Sequence, residues 1–130
     1  MAGVAWADGE SQVLCEDGIK GTQCGSTPDR WLWDSPSTQL TGATTNSKVY
    51  VEGKPVAVQG DKISPHPDGE ICTESPVDHE PETSLLAANV RIGGKYVVRI
   101  GSKYNKGTTF EHTVTTGSSK VSIGGPDISV

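Results

Sequence analysis

The sequence predicts an all-β domain assembled from short hairpins that repeat around a common line. Three observations carry this expectation. The first is composition: 33% of the 130 residues are hydrophobic and seven are aromatic, while 16 glycines and 8 prolines approach a fifth of the chain. Such a profile suits many short strands joined by turns and argues against a helical bundle. The second is a repeat: KVYVEGKPVAVQGD at 48–61 returns as NVRIGGKYVVRIGS at 89–102, and KVSIGG at 120–125 restarts it. The third is the pattern inside each copy, where Val49 and Val51 alternate with Lys48 and Tyr50, the period of a strand with one buried face.

The copies overlay without insertion. Val49 falls on Val90 and Val121, Val51 on Ile92 and Ile123, and Gly53 on Gly94 and Gly125. Glu52-Gly53-Lys54 and Gly93-Gly94-Lys95 supply the positive φ that a tight hairpin needs. Val56 and Val58 then restart the alternation, which ends at the turn pair Gly60-Asp61. Pro55 heads the returning strand, where a missing N–H is tolerated on an edge. Two full copies and a truncated third predict a pseudo-threefold arrangement within one domain, 1–130. The expected core is Val49, Val51, Val56, Val90, Ile92 and Val121.

The remaining segments are connections. Residues 9–18 echo the turn after the first copy: Cys15 follows Gly9 by six residues, as His66 follows Gly60. Residues 21–46 read as an inserted loop whose Trp31-Leu32-Trp33 folds back onto the sheet or anchors a partner. Residues 62–88 form an acidic link holding His66, Cys72 and His79, within which 84–88 fits either a helical turn or a strand. Residues 103–119 hold His112, and the threonines after it favour extended backbone.

A formal net charge of −5 gives no support for nucleic-acid binding, which wants a basic face. No run approaches the roughly 18 apolar residues of a membrane span, and MAGVAWADGE has no signal-peptide pattern. The expectation is synthesis in the cytoplasm. Cys15, Cys24 and Cys72 leave an odd thiol, read in a reducing compartment as buried or metal-bound.

All three histidines lie in the links, and links that meet at one end of a pseudo-threefold axis would bring them together. Imidazoles and a thiolate in tetrahedral array suit Zn²⁺ in a structural site. The expected ligands are Cys15, His66, His79 and His112, with Cys72 the alternative thiolate. Spacing favours His79 in its link, since it precedes Gly94 by fifteen residues while His112 precedes Gly125 by thirteen. Asp78 and Glu111 are placed to orient their neighbouring histidines. A thin core also needs a staple, which a metal provides. Catalytic signatures are missing: no GxSxG, GxxxxGK[ST] or GxGxxG occurs. An open three-histidine zinc site is the sharpest enzymatic alternative, and a metal-free β-rich adaptor the other.

Gly53 to Ile63, GKPVAVQGDKI, resembles the signature of PAAR-repeat proteins, whose Pro-Ala-Ala-Arg sits in a G-K-P-A-A-R-x-G-D context. Lys54, Pro55, Ala57, Gly60 and Asp61 fit; Val56 and Val58 replace the second and fourth signature residues. The second copy departs further, with Tyr96 for proline and Ser102 for aspartate. SKVYVEG and SSKVSIGG match the strand that precedes the signature, and residues 21–46 are unlike it. The resemblance implies a small cone-shaped β-protein with zinc near its apex, held by histidines and cysteine. It implies a non-enzymatic role: one copy caps a trimeric β-helical spike and sharpens the membrane-piercing tip of a phage tail or type VI secretion particle. The family more often has histidine at the place of Cys15. A standalone chain with no toxin domain after Val130 favours a phage tail, and one chain capping three predicts a monomer in isolation.

Overall fold

Strand pairing across the chain closes the hairpins into a ring. The computed structural model describes residues 2–7, 10–15, 30–31, 48–63, 66–67, 78–79, 81–107 and 111–130. Among these there is no helix, so the all-β expectation holds. The strands are β1 (Ala2–Gly3), β2 (Gln12–Cys15), β3 (Arg30–Trp31), β4 (Tyr50–Val51), β5 (Lys54–Pro55) and β6 (His66–Pro67). They continue as β7 (Asp78–His79), β8 (Leu85–Ile92), β9 (Lys95–Val97), β10 (His112–Val114), β11 (Ser122–Ile123) and β12 (Asp127–Ser129).

Two hairpins form where the repeat predicts them. β4 pairs β5 through Val51↔Lys54, and β8 pairs β9 through Ile92↔Lys95. Each closes over two residues of positive φ: Glu52 (55°) and Gly53 (79°), then Gly93 (58°) and Gly94 (81°). That geometry is the type I′ turn, whose twist matches that of the strands it joins.

The third copy is not truncated. β11 pairs antiparallel with β1, Ile123 opposite Ala2 and Ser122 opposite Gly3, and the Val4 N–H donates to the Val121 carbonyl at 3.0 Å. The opposite end of the chain supplies its returning strand, which the repeat search misses because a search along the sequence stops at Gly125. Gly3 is required there by contact: a Cβ on it would lie 2.0 Å from the Ser118 carbonyl oxygen.

The three returning segments, 4–6, 56–58 and 97–99, bridge one another in a closed cycle: Trp6 to Val56, Val58 to Val97, and Arg99 to Val4. At its centre the Ala57 N–H donates to the Ala5 carbonyl (2.9 Å), Ala5 to Val98 (2.9 Å), and Val98 to Ala57 (3.0 Å). A second cycle runs from Ala7 N–H to Pro55 O (3.0 Å), Gln59 to Tyr96 (2.8 Å) and Ile100 to Gly3 (2.9 Å). Each segment takes the same part in turn, and a closed ring satisfies the backbone groups that an open edge leaves unpaired. Small residues permit this approach: Ala5, Ala57 and Val98 are wholly buried.

The ring separates two apolar layers. One unites Val4, Val56 and Val97 with Ala87 and Ile123, and the half-buried Val51 and Ile92 pack against it. The other gathers Ala5, Ala57 and Val98 with Val13, Ile63, Tyr104, Leu86 and Val114. Burial of a side chain of this size stabilises by about 1.5–3 kcal/mol. The core expectation therefore needs a correction: Val49, Val90 and Val121 are 39%, 38% and 43% exposed. A narrow ring has room near its centre for only a few side chains from each hairpin. Val51, Ile92 and Ile123 with Val56, Val97 and Val4 fill it, and the outermost valines stay outside.

The turn after each ring segment is closed by a side chain. Asp61 Oδ2 accepts the Val58 N–H (2.9 Å), Ser102 Oγ accepts Arg99 (3.0 Å), and Ser11 Oγ accepts Trp6 (2.8 Å). Ser102, a departure from the signature by residue type, makes the same bond as the aspartate. The C-terminal segment returns as β12, with Ile128 opposite Leu86 of β8, so 84–88 resolves as the start of a strand. No helix among the described residues is long and apolar enough to cross a membrane.

Candidate metal centre

The segments that leave these turns carry the predicted ligands. After Ser11 the chain enters β2, which pairs with β10 in the register Val13↔Val114, Leu14↔Thr113 and Cys15↔His112. After Asp61 it reaches β6, which pairs with β7 in the register His66↔His79 and Pro67↔Asp78. The four expected ligands thus fall on strands as two directly opposed cross-strand pairs, one Cys–His and one His–His. The histidines lie on β6, β7 and β10, and the extended backbone expected at the threonines after His112 is present in β10.

Register explains the pairing. Val13 and Val114 are opposite each other and both buried in the layer that holds Tyr104 and Ile63. Two residues before Val114, period two returns the same face, which puts His112 in line with that layer, and the register sets the backbone of Cys15 opposite it. Directly opposed residues on antiparallel strands have Cα atoms about 4.5–5.5 Å apart. Two such residues can hold one ion between them. His112 is wholly buried, which suits a ligand turned inward.

The strand that carries His112 is held from several sides. Its N–H donates to Asn105 Oδ1 (2.8 Å), and its carbonyl accepts the Tyr104 N–H (2.9 Å). Glu111 accepts from Lys103 Nζ at 2.6 Å, and Lys103 also donates to the Thr113 hydroxyl at 2.9 Å. The hydrogen bond from Lys103, then one from Asn105, holds the Glu111 carboxyl below its usual range. Glu111, read from sequence as an orienting group for His112, is engaged by Lys103 and Asn105, so it ties those two residues to the entry of β10. Sequence reasoning did not single out Asn105 or Lys103, because their partners are visible only once β10 is paired.

The tyrosine beneath this strand is unusual. Tyr104 is wholly buried, and its hydroxyl has no hydrogen-bond partner among the described residues. Burial, reinforced by the charge of Asp61, raises its pKa well above the ordinary 10.0.

Among the described side chains no group of three or more His, Cys, Asp or Glu converges; the side chains of Cys15, His66, Asp78 and His79 lie outside that description. Cys24, Cys72 and Trp33 also lie outside the described residues. Trp31 is placed by its backbone: β3 pairs with β2, Trp31 opposite Gln12, while the rest of 21–46 lies outside the described residues. As a donor set, three imidazoles and a thiolate fit tetrahedral zinc with no open position. No protein-family model matches the chain, and no curated protein is detectably similar to it.

Proposed function

We propose that this chain is the non-enzymatic tip of a membrane-piercing spike. It caps the end of a trimeric β-helical spike in a phage baseplate or type VI secretion particle, one copy per trimer. The cone-like, pseudo-threefold arrangement narrows toward a structural zinc held by Cys15, His66, His79 and His112. The observation that carries this reading is the ring in which Ala5, Ala57 and Val98 bond head to tail: a single chain that repeats one pattern three times is matched to a partner with three identical subunits. The resemblance of Gly53–Ile63 to the PAAR signature points the same way.

The physical demand of the role agrees with the fold. Forced unfolding is governed by the unfolding rate, so a tip gains from cross-links that must break before the ring opens. Zinc, when bound, supplies such a cross-link between strands. The chain's own residues prepare it: β2 sets Cys15 against His112, β6 sets His66 against His79, and Asn105 fixes the entry to β10.

The test is co-purification of this chain with the trimeric β-helical spike encoded in the same genome, combined with elemental analysis of protein made without added metal. One chain and one zinc per trimer are expected. Zinc with hydrolytic turnover and no spike bound would replace this reading with a small metallohydrolase. A metal-free protein that binds no trimer would leave a β-rich adaptor.

A further inference from the structure

Charge is distributed very unevenly between the hairpins and the rest of the chain. The copies at 48–61, 89–102 and 120–125 contain six cations, Lys48, Lys54, Arg91, Lys95, Arg99 and Lys120, against two acids, Glu52 and Asp61. The remaining residues carry five cations and fourteen acids. A chain of net charge −5 therefore has a basic hairpin region. Arg99 is buried on Asp127, and Asp61 is buried under its own turn, so neither contributes to the surface. Among the described side chains of the copies, the exposed or half-exposed cations Lys48, Lys54, Arg91, Lys95 and Lys120 outnumber the acids, with Glu52 3.7 Å from Lys120 and Glu10 3.4 Å from Lys54.

The exposed apolar residues lie in the same region. Val49, Val90 and Val121 occupy the same position in each copy and are similarly exposed, about 40%. Each lies two residues before Val51, Ile92 or Ile123, and therefore on the face of its strand that continues the apolar layer outward. Beside the valines stand the exposed Lys48, Arg91 and Lys120. Apolar residues surrounded by a charged rim have the composition of a protein interface.

From this we infer that the hairpin face is the docking surface and that its partner is a homotrimeric protein with an acidic rim around an apolar centre. The inference rests on the spike-tip reading and adds the chemistry of the partner's end. Three equivalent valines fit a partner that presents one pocket three times, a demand that a lipid surface or a second copy of this asymmetric chain does not meet. The basic rim selects acidic groups opposite it and speeds encounter with them, at a strength that falls with salt.

Calorimetric titration into the spike trimer encoded in the same genome tests this, with the trimer used unchanged and with its blunt-end Asp and Glu residues changed to Lys. The unchanged trimer should bind one chain, with affinity falling about tenfold or more as salt rises from about 50 to 300 mM. Lys48→Glu, Arg91→Glu and Lys120→Glu together should weaken binding by at least about thirtyfold, and the Lys-reversed trimer should restore part of that loss. Val49→Ser, Val90→Ser and Val121→Ser together should also weaken it, measured at a temperature well below the melting transition of the variant. Equal binding of one chain to both trimers overturns the charge inference and leaves the spike-tip reading standing. Binding to neither trimer overturns both. Binding to phosphatidylserine vesicles through Lys48, Arg91 and Lys120, or a salt-sensitive dimer of this chain, with no trimer bound, assigns the face to that occupant and overturns the proposal.

Discussion

Arg99 binds Asp127 through both Nε (3.2 Å) and Nη2 (2.8 Å), and the same guanidinium donates to the carbonyls of Ile123 (2.9 Å) and Gly125 (2.8 Å). One buried side chain thereby ties a ring segment to β11, which opens the third hairpin, and to the C-terminal strand. Trp6, at the same ring position, makes the corresponding bond from Nε1 to the Val51 carbonyl (3.0 Å).

Arg99→Ala would leave two carbonyls and a half-buried carboxylate without their donor. The expected loss is about 2–4 kcal/mol by urea denaturation, the range for removing one member of a buried, multiply bonded pair. Arg99→Lys should recover little of it, because an ammonium cannot reproduce the planar fork. A loss under about 1 kcal/mol for the alanine variant would show that the tail is held by other contacts.

Gly3→Ala tests the closure by the N-terminal strand. The new Cβ would meet the Ser118 carbonyl oxygen at 2.0 Å and its carbon at 3.0 Å, both backbone atoms that cannot rotate away. Overpacking of this kind costs about 1–3 kcal/mol or more. The loss should appear with early hydrogen exchange at Val4 and Ile100, whose N–H groups bond Val121 and Gly3. Wild-type melting behaviour would mean that β1 does not seat against β11.

These contacts show what the sequence could and could not reveal. The hairpins at 48–61 and 89–102 were legible because alternating valines flank residues suited to positive φ. The third was half legible: its first strand repeats the pattern, but its second, Ala2 to Ala7, lacks the Gly-Lys lead and lies at the far end of the chain. Period two assigned Val49 and Val51 to one face correctly, yet could not show that the ring has room for only the second. Ser102 read as a departure from Asp61 because residue type conceals that a hydroxyl and a carboxylate accept the same backbone bond. For the metal site, type and spacing named the candidates, but the opposition of Cys15 and His112 depends on register across most of the chain.

Tyr104 supplies a prediction of opposite sign to most core substitutions. Its buried hydroxyl is unbonded among the described residues, and no described group compensates for the water that folding removes, a cost of about 1–3 kcal/mol. Tyr104→Phe should therefore stabilise the protein by about 1 kcal/mol, or be neutral. The pH dependence follows from the raised pKa. Above the unfolded value of 10.0 the unfolded chain releases the phenolic proton while the folded chain retains it, so stability falls as pH rises from there toward the higher folded pKa. The phenylalanine variant should lose that part of the alkaline slope. A destabilisation above about 1 kcal/mol would reveal a partner for the hydroxyl.

Glu111 governs the acid side. Its folded pKa lies below the ordinary 4.5, so its contribution is present above that value and disappears as pH falls through the lower folded pKa. Glu111→Gln should flatten the acid limb of the stability curve while leaving the alkaline limb as it was. Because half of this side chain is exposed, added salt should shrink the effect. An acid limb identical to wild type would show that the bond to Lys103 does not persist in solution.

The last prediction separates the two candidate thiolates. Cys15 lies opposite His112 in the β2–β10 register, so Cys15→Ser should reduce zinc content well below one per chain, whereas Cys72→Ser should retain it. Cobalt substitution gives a readout that folding alone does not move: the thiolate-to-metal absorption band should be present in wild type and Cys72→Ser and lost in Cys15→Ser. His112→Ala opens a cavity as well as removing a donor, so metal content and the cobalt spectrum, rather than melting temperature, report its role. Chelation should lower the melting temperature of wild type and leave a metal-free Cys15→Ser unchanged, since a ligand stabilises only the fold that binds it. Retention of both zinc and the thiolate band in Cys15→Ser would move the fourth ligand to Cys72 and detach the β2–β10 pairing from the metal.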